Sequence, residues 1–212
     1  VFKIRKNISI YENEINEIRN IFNFINNIEY SNLLSNLSIQ TFYKIINSNF
    51  NNEFSININK KNNLGSINEI KIDYFELNIP EGENSINLSN LLSIYINSNI
   101  KMNTYEYFFK KIPLLIPLFI NRNNKNNTKI NIMKYIKMEN IDEKFQKNLS
   151  WIILSIICKS DDSSYYSIIN NDDNWICIDQ KNIPTINIID MSDEDIVYKI
   201  STESVFIFYK LL

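Results

Sequence analysis

The sequence predicts an α+β fold in which helices come first and a mostly antiparallel sheet follows. Three observations carry that reading. Over residues 11–26 and again over 39–47 the apolar side chains recur every three or four positions, the period of a half-buried helix. From residue 54 the period drops to two: Phe54, Ile56 and Ile58 alternate with polar residues, and so do Ile70, Ile72 and Tyr74. The last third is rich in strand-like runs, among them the almost wholly apolar stretch from Trp151 to Cys158. The expected division is one domain over residues 1–212, with a helical part at 1–50 and a sheet-rich part at 51–212.

The 212 residues suffice for one domain or a large part of a bigger one, and 44% hydrophobic content supplies a core. A net charge of −2 gives no general electrostatic case for nucleic-acid binding. The usage is extreme, with 43 Ile, 38 Asn and no Ala, as AT-rich codons produce. Cys158 and Cys177 lie in apolar runs and read as small buried hydrophobes. Without a CxxC pair or any histidine, neither a disulfide framework nor a zinc site is expected, and no cofactor is implied. No apolar run reaches the roughly 18–20 residues of a membrane span. Val1-Phe2-Lys3-Ile4-Arg5-Lys6 is charged and short, unlike a cleavable signal, and a start at Val points to a trimmed chain.

Taken in order, Ile15, Ile18, Phe22 and Ile25 mark an amphipathic helix over 11–26. Phe42, Ile45 and Ile46 mark another over 39–47. Lys60 to Gly65 reads as a hairpin loop between the first two strands, with one of only two glycines. Leu88, Leu91, Leu92 and Tyr95 form a further helical stripe. Lys111 to Arg122 reads as a strand in which Pro117 removes a ladder donor, so a bulge or an edge is expected there. Asn123 to Thr128 is a polar loop, and Lys129 to Met138 a further strand. Tyr165–Ile169, Trp175–Ile178 and Val205–Tyr209 complete the antiparallel sheet. Ser192-Asp193-Glu194-Asp195 supplies an N-cap and an acidic first turn for a short helix.

Several of these segments follow one another as they do in the ubiquitin-specific protease (USP) family. Leu77-Asn78-Ile79-Pro80, then Ile86 to Leu92, resembles the family's Leu-x-Ile-Pro strand and the helix after it. Lys111 to Arg122 is similar to its Leu-Pro-x-x-Leu-x-x-x-Leu-Lys-Arg-Phe strand. Ser163-Ser164-Tyr165 stands where the family has Gly-His-Tyr, and Trp175 to Asp179 where it has Trp-x-x-Phe-Asp. Ser204 to Lys210 resembles its closing Tyr-x-Leu-Phe-Tyr strand. The order of these blocks, over residues 40–210, carries the likeness. It implies a papain-like fold of which this chain is the C-terminal palm and fingers part.

The likeness also implies what is missing. A cysteine protease of this kind needs a thiolate, an imidazole base and a group that orients the imidazole. Asp179 matches the orienting position and Ser164 the base, so these two are degenerate triad positions, and no catalytic residue is assigned. A serine hydroxyl titrates far above neutral pH and is no general base. The family's Cys box has no match and would lie upstream of Val1, and its zinc-binding Cys pairs are absent from the fingers segment. Ser164 reads either as a loop hydroxyl or as a relic hydrogen-bonded to Asp179. Asp179 reads as a turn cap or as the relic itself. Trp175 is the family's tryptophan or simply core packing beside Tyr165. Cys158, in mid-strand without a histidine, is no candidate nucleophile. Asp161-Asp162 and Asp172-Asp173 have the composition of a Ca²⁺ or Mg²⁺ site but read first as solvated turns. The basic stretch from Arg122 to Lys129 likewise reads as a solvated loop before it reads as an RNA contact.

Within the superfamily these departures most resemble the inactive USP-like component of the spliceosomal tri-snRNP. That branch has Gly-Ser-Tyr in the His box and an Asn-rich loop after the central strand, much like Asn121 to Asn127. The resemblance implies a nuclear, catalytically inactive scaffold with spliceosomal protein partners. Ubiquitin is a second partner left open, and no membrane or strong nucleic-acid contact is expected. The alternatives are a ubiquitin-binding pseudo-deubiquitinase and a truncated cysteine-type deubiquitinase.

Overall fold

The structure is a computed structural model and describes residues 38–49, 54–100, 105–122, 127–137, 149–160, 164–171, 174–179 and 186–212. The helix expected over 11–26 and the acidic pairs Asp161-Asp162 and Asp172-Asp173 lie outside them. The chain forms two compact units, Val1–Glu53 and Phe54–Leu212.

In the first unit the described element is helix α1, Ile39–Asn49. It opens with the Ser38 hydroxyl accepting the Thr41 amide, the N-terminal pairing that a serine makes there. Tyr43 and Asn47, four residues apart, are buried on one face.

Among the described residues the second unit holds three sheets. Strands β1 (Ile56–Asn62), β2 (Ile67–Ile72) and β5 (Tyr105–Phe109) form an antiparallel sheet in the order β2-β1-β5. Its hairpin turns at Asn62-Asn63-Leu64-Gly65. The Asn62 Oδ1 accepts the amides of Leu64 and Ser66, and Gly65 takes φ +84, which an L side chain rarely adopts. Ile56 and Ile58 point into the core while Asn57, Asn59 and Lys61 point out, the alternation that the sequence displays.

The large sheet runs β12-β11-β10-β9-β13-β6-β3, with β8 (Tyr135–Ile136) beside β9. Its strands are β3 (Phe75–Asn78), β6 (Leu115–Asn121), β9 (Trp151–Lys159), β10 (Tyr165–Asn171), β11 (Asn174–Asp179), β12 (Ile186–Ile189) and β13 (Ser204–Leu211). All neighbours are antiparallel except β3 with β6. A small parallel pair, β4 (Ser85–Asn87) with β7 (Lys129–Asn131), lies apart. Helix α2 (Leu88–Tyr95) continues as a π-turn through Ile100 and buries Leu88, Leu91 and Leu92, its three-and-four spacing. Helix α3 (Glu194–Glu203) begins where Asp193 caps the Asp195 and Ile196 amides, with Glu194 and Asp195 in the first turn.

The α+β class and the mostly antiparallel sheet are therefore as the sequence predicts, but several details differ. Tyr74 lies in a bend, not in a strand, and the strand expected from Lys129 to Met138 is two short pieces with a break at Ile132–Lys134. No bulge forms at Pro117. The β6 pairing to β13 runs unbroken from Leu115 to Phe119, and β3 on the other flank begins only at Leu118. The irregularity sits one strand over. Between β13 and β9 the register slips at Val205 and slips back at Leu154. A side-chain period of two would otherwise put Trp151 and Ile153 on the opposite face from Ile156 and Cys158. The extra residue at Leu154 restores the phase within β9, and all four are buried in one core. β9 is thus fully buried on one face and half-buried on the other, rather than dry on both. Trp151 anchors this core, donating Nε1–H to the Pro113 carbonyl at 2.8 Å and meeting Phe109 edge-on.

Candidate functional site

The expected site residues gather at one end of the large sheet. Register sets Ser204 of β13, Cys158 of β9, Tyr166 of β10 and Asp179 of β11 in one row across four strands. Ser164 precedes β10 by one residue and shares its parity with Tyr166, so Ser164 and Asp179 belong to the same face. The hydroxyl partner of Ser164 is Ser160: the two Oγ atoms are 2.7 Å apart, and the Ser160 amide donates to the Ser164 carbonyl at 2.9 Å. These contacts close the β9–β10 connection. A short polar residue satisfies the connection in that position.

Behind the row lies a partly buried polar cluster. Arg122 follows β6 directly. Its Nε donates to the Ser204 carbonyl at 2.8 Å, Nη1 to Thr128 at 2.8 Å and Nη2 to Ser201 at 2.7 Å. A cation thus satisfies the last carbonyls of α3 and ties them to β6. Burial pulls the guanidinium down to about 10, an effect opposed by Cys158 and Glu203, so it stays charged at neutral pH. Arg122 is therefore not part of a solvated basic loop, and no phosphate contact is drawn from it. Lys129 lies over the Tyr198 ring, 4.5 Å from its centroid.

Cys158 has no exposed surface, and burial pushes its thiol up to about 12. A thiol of that kind is not a thiolate at neutral pH, and it attacks nothing. Cys177 is only half-buried, its thiol raised by burial and then by Asp179. Tyr166 is buried, with Lys199 over its ring at 5.0 Å. Burial first, then Cys158 and Glu203, drive its hydroxyl far above the ordinary tyrosine value. Its Oη and the Glu203 Oε2 are both buried without a hydrogen-bond partner of good geometry. Among the described residues no group of three or more Cys, Asp or Glu side chains is placed to hold a metal. No described helix is long and apolar enough to cross a membrane.

Trp175 does not pack beside Tyr165. It pairs with Asn170 and Ile189, five rungs along the ladder, on the opposite face from Tyr165. There it lines a cleft of about 370 Å³ with Met133, Ile153, Ile156, Val197 and Ile200. This concavity suits apolar groups and was not visible in the sequence, because its walls come from β9, β11, α3 and the break after β7. The sequence also misses the Arg122 anchor, whose carbonyl partners Ser201 and Ser204 lie 79 and 82 residues away.

Comparison with known proteins agrees with this architecture. No protein-family model matches the chain, and no curated protein matches it. Solved structures do. A chain of the yeast SAGA deubiquitinating module with a mutant Sgf73 is similar, with a TM-score of 0.54 and 13% identity, covering 82% of this chain and 45% of that one. The Ubp8–Sgf11–Sus1–Sgf73 module gives 0.55 at 14% identity, covering 92% of this chain and 47% of that one. The same module bound to monoubiquitin gives 0.51 at 10% identity, covering 74% and 40%. The fold is thus USP-like, and this chain spans under half the length of the chains it resembles.

Proposed function

We propose that this chain is a catalytically inactive USP-like domain that works as a protein-binding scaffold. Its setting on this reading is nuclear, in pre-mRNA splicing, where it helps hold the tri-snRNP together. The observation that carries the inactivity is Ser164. It occupies the base position on the Asp179 face, it is built into a turn with Ser160, and the sequence has no histidine to take its place. The Asp179 carboxylate has no imidazole of this chain to orient, and Cys158 is buried as a neutral thiol. What is left of such a site is its shape and its surface, which bind rather than turn over. The splicing assignment is supported by the Ser163-Ser164-Tyr165 box and the Asn-rich stretch after β6.

The test is purification of the native tagged chain with its partners, joined to hydrolysis of a ubiquitin–fluorophore conjugate. Co-purifying tri-snRNP proteins and no hydrolysis above background support the reading. Hydrolysis abolished by one substitution in this chain would sink the inactivity, and ubiquitin conjugates in place of tri-snRNP proteins would sink the splicing role. A second reading, a ubiquitin-binding pseudo-deubiquitinase, is favoured by one observation: a similar module has been seen bound to monoubiquitin. It expects free ubiquitin to bind, and removal of the ubiquitin C-terminal Gly-Gly to abolish that binding.

A further inference from the structure

Strand β12 ends one side of the large sheet, and among the described residues no strand lies beyond it. An edge strand offers a row of outward N–H and C=O groups, and proteins guard such edges with lysines, prolines, bulges or a covering element. Ile186–Ile189 reads Ile-Asn-Ile-Ile, with no charge and no proline, and it pairs with β11 without a bulge from Ile178 to Trp175. Ile188 stands across from Ile176, which in turn stands across from Ile169. Ile176 is 2% exposed, whereas Ile188 is 75% exposed. The apolar strip on this face therefore runs to the edge and stops one strand short of being covered.

We infer that β12 pairs antiparallel with β12 of a second copy across a two-fold axis. The strand is self-complementary. An axis at Asn187 sets it opposite the partner's Asn187, and sets the exposed Ile188 against the partner's β12 in place of solvent. The strand carries no charge, so the axis brings no like charges together. Pairing completes the outward backbone row and covers Ile188. Two four-residue strands bury little area, so the association is weak and follows concentration by mass action.

Sedimentation velocity over a roughly hundredfold concentration range tests this, paired with hydrogen exchange at the two extremes. The expected result is a mass rising from one chain toward two, with added protection confined to Ile186–Ile189. Ile188→Lys, at an exposed position that the fold does not need, should weaken association by about tenfold or more. Leu64→Lys, at an exposed apolar site in the β1–β2 hairpin, should leave it unchanged. A monomer at every concentration overturns the inference. So does a dimer that Ile188→Lys leaves intact, one that Leu64→Lys breaks, or protection gained elsewhere.

Discussion

The two antiparallel sheets of the second unit are built on different principles. The three-stranded sheet is wet on one side: Ile56 and Ile58 go in, Asn and Lys go out, and Lys110 pairs with Glu69 in the open at 2.7 Å. The large sheet carries apolar residues on both faces. Trp151, Tyr209 and Ile207 lie on one, while Phe119, Phe206 and Phe208 cluster on the other. Stability should therefore sit in the large sheet, and the small one should tolerate change. That Lys110–Glu69 pair is exposed, and exposed pairs contribute on the order of 0–1 kcal/mol.

The strongest test of this contrast is Trp151→Ala. It empties a fully buried site and leaves the Pro113 carbonyl without its donor, which should cost about 3–5 kcal/mol in chemical denaturation. Arg122→Met comes next, stranding two carbonyls at the end of α3 and that of Thr128 before β7. A loss of about 3 kcal/mol is expected, with α3 and the end of β6 opening first by hydrogen exchange. Asp193→Ala removes only a cap and should cost about 1 kcal/mol. Glu69→Gln, in the wet sheet, should cost about 0.5 kcal/mol or less. If it rivals Arg122→Met, the contrast between the sheets is wrong.

The buried thiol sharpens the same point through pH. Folding raises Cys158 from an ordinary value of 9.0 to about 12, so its contribution to stability is whole below 9. Above 9 the unfolded chain loses the proton while the folded chain keeps it, and stability falls until the pH passes about 12. Tyr209, raised by burial, acts in the same direction. Denaturation midpoints should thus drop on the alkaline side, less steeply in Cys158→Val. In the native protein a thiol reagent should modify Cys177 well before Cys158.

The legible parts of the sequence are those where neighbours in the chain decide the outcome. The stripe Leu88–Tyr95 and the alternation Ile56–Ile58 each follow one local period, and Asp193 caps a helix one residue away. Arg122 was misread as solvated because its partners are brought to it by β13 and α3, far along the chain. β5 and β12 escaped because each is defined by the strand it joins, not by a period of its own. Trp175 was assigned to the wrong neighbour, since register across β10 and not sequence distance chooses its face. At the site, Ser164 and Asp179 carry no chemical signal of their own; only the likeness to a protease box singled them out.

The two register slips at Val205 and Leu154 behave as a frameshift and its suppressor. The sums of paired positions before and after them agree, so the shifted frame is confined to the rungs from Ser155 to Ile157. Beyond that short block, the end that holds Ser164 and Asp179 and the end that holds Trp151 are in one reading frame. Deleting Leu154 would remove the residue that the bulge absorbs, and a regular β9 would keep Trp151 and Ile153 on the face of Ile156 and Cys158. Inserting one more residue beside it, with no second bulge, would instead turn both out of the core.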